Sequence, residues 1–266
     1  MTTALTDVNH DAPPLLAVDS SKYAFFFDVD GTLAAIQPEP DAVTIPLDAR
    51  HNLQKLADHC EGALALVSGR PISQLDTLAA PLVLPLAGVH GAELRDAANN
   101  LHRVELPADV AEPLRQMLED GMKALPGTLL EAKGMAFALH YRQAPQFEKN
   151  VLALAESAVA QFAALTLQPG KCVVEIKPHG TDKGAAIKTF MQHAPFHGRI
   201  PVFVGDDLTD EKGFQTVNAL QGISVKVGEG STNAAFRLAE VTDVYDWIAQ
   251  LLLQLQQDKI GKEFTL

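Results

Sequence analysis

A short, wholly apolar block that ends in two aspartates constrains this chain more than any other feature. Tyr23-Ala24-Phe25-Phe26-Phe27 runs directly into Asp28-Val29-Asp30-Gly31-Thr32-Leu33. A strand that is apolar at every position has no face for water, so it belongs inside a parallel sheet covered on both sides. Three further runs have the same form. Residues 63–67 end in Ser68-Gly69-Arg70, residues 83–87 in Gly88-Val89-His90-Gly91, and residues 201–204 in Gly205-Asp206-Asp207. In open α/β sheets, ligands bind beyond the carboxyl ends of the strands, where these small and acidic clusters fall.

Helical periods lie between the runs. Leu53, Leu56, Ala57 and Cys60 recur at i, i+3, i+4, i+7, and so do Ile187, Phe190, Met191 and Ala194, after a cap at Thr181 or Asp182. Trp247, Ile248, Leu251, Leu252 and Leu255 give a last amphipathic helix. Strands alternating with helices predict a doubly wound, Rossmann-like α/β core.

The middle of the chain has another rhythm. Leu129, Glu131 and Lys133 alternate with Leu130 and Ala132. Phe137, Leu139 and Tyr141 alternate with Ala138, His140 and Arg142, and Val174 and Ile176 with Val173, Glu175 and Lys177. Period two marks half-exposed antiparallel strands, and helical stretches near 108–124 and 146–164 flank them. The expectation is a flexible tail over 1–20, a core made of 21–93 and 179–266, and an inserted α+β module over 94–178.

Composition narrows the function. With 21 Lys+Arg against 33 Asp+Glu, the net charge is −12, which repels polyanions and argues against nucleic acid or a membrane surface as partner. No apolar run approaches the roughly 18–20 residues that span a bilayer. Cys60 and Cys172 cannot build a disulfide framework, and the N-terminal stretch has no basic, apolar leader, so a cytoplasmic location is expected.

Asp28 and Asp30, so close together, repel unless a cation or proton lies between them. Asp206, Asp207 and Asp210 end another strand of the same sheet. Gathered at one edge, these acids make an all-oxygen site suited to Mg²⁺. Arg70 can fork a phosphate or pair with a neighbouring acid. His90 can orient a phosphate loop or cap its strand. Glu131, Lys133, His140, Arg142, Glu175 and Lys177 form either a solvated face of ion pairs or a surface that hydrogen-bonds a polyol.

The motifs Asp-Val-Asp-Gly-Thr-Leu (28–33), Ser-Gly-Arg (68–70), Thr-Asp-Lys-Gly (181–184) and Gly-Asp-Asp-Leu-Thr-Asp (205–210) occur in the order found in haloacid dehalogenase-like phosphatases. The chain resembles that superfamily from about residue 22 onward, and the insert resembles a type C2 cap. Gly88-Val89-His90-Gly91-Ala92-Glu93, the segment 130–142 and Val174-Glu175-Ile176-Lys177-Pro178 resemble the trehalose-6-phosphate phosphatase family, in its enterobacterial-type form. That resemblance implies a Mg²⁺-dependent phosphoric monoester hydrolase that acts last in trehalose biosynthesis. It implies Asp28 as nucleophile, Asp30 as acid and base, Ser68 and Lys183 on the phosphoryl group, and Asp28, Asp30, Asp206 and Asp207 or Asp210 around the metal. It also implies Glu131, Lys133 and Glu175 on the sugar, with Arg70, His140 and Arg142 as further substrate contacts. A monomer is expected. The alternatives are another sugar-phosphate phosphatase, a phosphohexomutase of the same fold, or a noncatalytic sugar-phosphate sensor.

Overall fold

The computed structural model describes residues 11–15, 22–39, 42–133 and 135–263. The chain divides into two compact units. One comprises the chain up to Leu101 and from Asp182 onward, and the other is His102–Thr181.

The first unit is built on an eight-stranded sheet, whose edge strand Leu101–Arg103 spans the sequence boundary between the units. Its strands are β1 (Tyr23–Phe27), β2 (Leu64–Val67), β3 (Leu86–Gly88), β4 (Glu93–Arg95), β5 (Leu101–Arg103), β10 (Ile200–Gly205), β11 (Ile223–Val227) and β12 (Phe236–Leu238). The order is β12-β11-β10-β1-β2-β3-β4-β5. From β12 to β3 every pairing is parallel, and β4 returns antiparallel to β3. β1 and β2 are buried at every position, as their unbroken apolar runs require. The third apolar run differs from its expected extent. Val83 is exposed and pairing begins only at Leu86, after Pro85, which has no N–H to give a ladder.

Helices α1 (Leu47–His59), α2 (Ile72–Ala79), α5 (Lys183–Phe190), α6 (Glu211–Ala219) and α7 (Val241–Glu263) belong to this unit. Phe26 stacks on Phe196, Phe190 meets both at a tilt, and Phe203 meets Phe214. Of the expected tail, residues 1–10 and 16–20 lie outside the described residues. Within it, the Pro14 carbonyl accepts from Trp247 Nε1 and the Asp11 carbonyl accepts from the Arg237 amide.

The second unit is an antiparallel sheet, ordered β6-β7-β9-β8, with two helices. The strands are β6 (Leu129–Lys133), β7 (Ala136–His140), β8 (Leu165–Gly170) and β9 (Val173–Pro178), and the helices α3 (Ala108–Lys123) and α4 (Glu148–Gln161). Its own core gathers Leu114, Leu118, Val151, Phe137, Leu139, Val174 and Ile176. The opposite face follows from register. Glu131 stands across from Ala138, Ala138 from Glu175, and Glu175 from Gln168. One polar row therefore crosses all four strands, with alanine at its centre. Among the described residues, no helix is long and apolar enough to cross a membrane.

Candidate functional site

Register assembles the site. Phe27 is level with Val204 on one side and Leu66 on the other. The next residues along the three parallel strands are therefore neighbours, so Asp28 leaves β1 between the loop after β10 and Ser68 after β2. The Asp28 amide donates to the Val204 carbonyl at 2.9 Å, which extends the ladder to the aspartate itself. This is the point where the sheet's winding reverses, with β10 on one side of β1 and β2 on the other.

Asp28 is buried. Lys183 Nζ lies 2.8 Å from Asp28 Oδ1 and 2.7 Å from Asp210 Oδ1. Lys183 opens α5, whose N-cap Asp182 accepts from the Ala185 amide, so the helix start fixes the lysine. Asp210 uses its other oxygen, Oδ2, to accept the amides of Asp206 and Asp207 at 3.0 and 2.9 Å. Both oxygens of Asp210 thus serve protein donors, and the turn above β10 is fastened from within.

Asp206 is held differently. A Cβ on Gly31 would stand 2.1 Å from Asp206 Oδ2, and Gly31 has φ +81°. Glycine is required there twice over, for its backbone and for the carboxylate lying against it. Asp206 Oδ1 is buried and accepts no hydrogen bond. Ligand atoms of Asp28, Asp206 and Asp210 lie within 4.8 Å of one another. A buried carboxylate oxygen with no donor, in an all-oxygen cluster, fits a hard divalent cation.

The electrostatics point the same way. Burial, followed by the charges of Asp210 and Asp206, pushes Asp28 well above the usual carboxylate range, while Lys183 pulls it down. Burial and then Asp210 push Asp206 to about 7. Burial opposes the charge on Lys183, but Asp210 and Asp28 outweigh it and hold the ammonium firmly protonated. Lys183, with Lys226 beside Asp206, does not offset the burial and mutual repulsion of Asp28, Asp206 and Asp210, and a further source of positive charge would relieve it.

The remaining expected residues fall in distinct places. Asp207 is exposed and accepts from the Leu208 amide, outside the acidic cluster. The Asp30 carboxylate is gripped by Arg70, with Nε and Nη2 each 2.7 Å from its two oxygens. This is the acid pair that was one of the two readings open for Arg70. Ser68 is buried, and its Oγ accepts from the Arg70 amide at 3.2 Å. In the second unit, His140 Nε2 meets Glu131 Oε2 at 2.9 Å, and Glu175 is buried on the same face. Lys133 ends β6, and its side chain lies outside the described residues. Arg142 lies past the end of β7, exposed, with its guanidinium on the Lys171 carbonyl at 3.4 Å. The alternation that placed it beside His140 stops at Tyr141, where the strand ends.

Two contributors escaped the sequence reading. Lys226, buried in β11, donates to the Asp206 carbonyl. A lysine in the middle of an otherwise buried strand was the available signal. Glu211 accepts from Thr232 Oγ1 and from the Asn233 amide and side chain, tying the loop after β11 to the first turn of α6.

The sequence profile of the Trehalose-phosphatase family matches residues 26–242. The chain belongs to that family. It is 55% identical over 240 residues to trehalose-6-phosphate phosphatase of Escherichia coli (strain K12), covering 90% of each chain. It is 41% identical to a probable trehalose-phosphate phosphatase of Sinorhizobium fredii, over 80% of each. In fold it matches the C-terminal domain of Candida albicans trehalose-6-phosphate phosphatase, with a TM-score of 0.79 at 20% identity, over 91% of this chain and 98% of that one. A haloacid dehalogenase-like hydrolase from Bacteroides thetaiotaomicron matches with a TM-score of 0.65 at 14% identity, over 86% of this chain and 100% of that one. The core is accordingly a haloacid dehalogenase-like α/β fold.

Proposed function

We propose that this member of the trehalose-phosphatase family hydrolyses trehalose 6-phosphate to trehalose and phosphate, as the last step of trehalose synthesis. The observation that carries the reading is the buried Asp28 carboxylate, 2.8 Å from Lys183 Nζ, with ligand atoms of Asp206 and Asp210 within 4.8 Å. Asp28 attacks phosphorus, the bond from phosphorus to the sugar oxygen breaks, and an aspartyl-phosphate forms. Asp30 gives its proton to the departing sugar oxygen. It then takes a proton from water as that water attacks phosphorus, and the Asp28 carboxylate and inorganic phosphate are released. Both Asp30 oxygens are engaged by Arg70 here, so Asp30 frees at least one of them when it acts as acid. Lys183 and the Ser68 hydroxyl meet the phosphoryl oxygens.

Mg²⁺ would be held by the carboxylates of Asp28 and Asp206 and the Asp30 main-chain carbonyl, with Asp210 fixing the loop that presents Asp206. When bound it supplies charge neutralisation at the phosphoryl group. The inserted unit, 94–178 by the sequence reading, selects the sugar. Glu131 and Glu175 share its polar face, Ala138 leaves room between these acids, and Lys133 is assigned to the sugar with them by the sequence reading. We take the enzyme to be a cytoplasmic monomer, which the two free cysteines Cys60 and Cys172 suit.

Phosphate release across a panel of sugar phosphates tests the reading. Trehalose 6-phosphate should be the preferred substrate, and Asp28→Asn should abolish release. Normal turnover by that variant would refute it. Transfer without net phosphate would favour a mutase, and tight binding without turnover a sensor.

A further inference from the structure

The segment from Gly88 to Glu93 takes no part in the reaction as proposed, yet its first three residues meet the Ser68-Gly69-Arg70 turn and its last bonds to Ile72 just beyond. The Val89 amide donates to the Arg70 carbonyl at 3.0 Å, and the His90 amide to the Ser68 carbonyl at 2.9 Å. Glu93 Oε2 accepts from the Ile72 amide at 2.9 Å. A Cβ on Gly88 would stand 2.8 Å from both the Arg70 carbonyl oxygen and the Ile72 nitrogen. Val89 and His90 have φ of +48° and +54°. A β-branched residue enters that left-handed region only where its surroundings hold it there, and such strain gathers at functional sites.

Gly69 makes the argument specific. It is absent from the glycines at positive φ, so its backbone conformation is open to alanine. Yet a Cβ there would stand 2.7 Å from both Cε1 and Nε2 of His90 and 3.5 Å from Nδ1, and these imidazole atoms are its nearest neighbours. His90 is itself buried, at 7% exposure. The ring fills the space that any side chain at position 69 would need.

We propose that His90 is a positioning residue whose imidazole, wedged against Gly69, sets the Ser68-Gly69-Arg70 turn to receive the phosphoryl group. The proposal rests on the reading of Ser68 as a phosphoryl donor. The probe is inorganic phosphate as a competitive inhibitor, because its inhibition constant does not depend on how much of a preparation is folded. His90→Asn removes the ring while keeping a residue that tolerates the left-handed region. It should raise the constant roughly tenfold, as the loss of one hydrogen bond to a charged group would. Gly69→Ala should do the same by pushing against the ring. In the double variant the methyl group takes the vacated space, and the constant should return to within about threefold of the parent, a non-additivity expected only of groups in contact.

An unchanged constant in His90→Asn would overturn the proposal, and so would a double variant that shows both losses in full. Ser68→Ala separates this from the parent reading. If that variant leaves phosphate inhibition unchanged, the assignment of Ser68 fails. If it weakens inhibition while His90→Asn does not, only the role of His90 fails.

Discussion

Replacing Lys183 with methionine keeps the length of the side chain and removes its charge. Lys183 Nζ is within 2.8 Å of both Asp28 and Asp210, and none of the three side chains is more than 5% exposed. Two buried carboxylates would lose the ammonium they share. Removing one partner of a buried ion pair costs about 3–5 kcal/mol. For a chain of this size, about 2–4 °C of melting temperature follows each kcal/mol, so the midpoint should fall by about 6–20 °C at pH 8 in EDTA. The sign with pH follows from Asp28. Burial, Asp210 and Asp206 already raise its folded pKa above the unfolded value, and losing Lys183 raises it further. A carboxyl raised on folding destabilises the fold above its folded pKa, and the penalty lifts as pH falls and the acid takes a proton. The difference in midpoint between parent and variant should therefore shrink markedly at pH 5. Thermal unfolding followed by circular dichroism at both pH values measures it. A deficit equal at pH 8 and pH 5 would show that shape, not charge, is what Lys183 provides, and would refute the electrostatic account of the site.

Gly31→Ala places a methyl group on the Asp206 carboxylate at a backbone position of φ +81°; kcat/KM should fall by roughly 10²-fold, and the Mg²⁺ concentration for half activity should rise. In metal-free protein, Asp206 at about 7 contributes stability below that pH and loses it as pH rises toward 7. Scanning fluorimetry in EDTA should thus give a higher midpoint near pH 5.5 than near pH 8, and added Mg²⁺ should raise the midpoint more at pH 8. Glu175→Ala should lower kcat/KM for trehalose 6-phosphate by roughly 10–100-fold, while 4-nitrophenyl phosphate, which has no sugar, should change by less than about threefold. Equal losses on both substrates would remove Glu175 from sugar selection.

The sequence spoke most clearly where one physical cause dominates. Asp28, Ser68 and Asp206 each end a run with no polar residue, and only a central parallel strand accommodates such a run. Neighbouring parallel strands bring them to the same sheet edge, with Ser68 and Asp206 one residue past the positions level with Asp28. What stayed hidden depends on side-chain direction. Asp207 and Asp210 are equivalent as letters, but the tight turn Leu208–Asp210 points one into solvent and the other under the loop. The grip of Arg70 on Asp30 joins residues forty apart in sequence, and no local pattern announces it. β8 was not read as a strand because Pro169 and Gly170 break the expected composition, which an edge strand tolerates. Lys226 looked like any lysine until β11 was seen to be buried.

The double engagement of Asp210 has a consequence for how the cation would arrive. Since the turn over β10 is already latched by two amides and an ammonium, the acidic cluster proposed to hold the cation is ordered before any ion binds. The cost of ordering those groups is met once, during folding, and not again at each loading. Uptake would then be paced by the ion shedding its own water, a step that Mg²⁺ takes reluctantly, and not by any rearrangement of the chain.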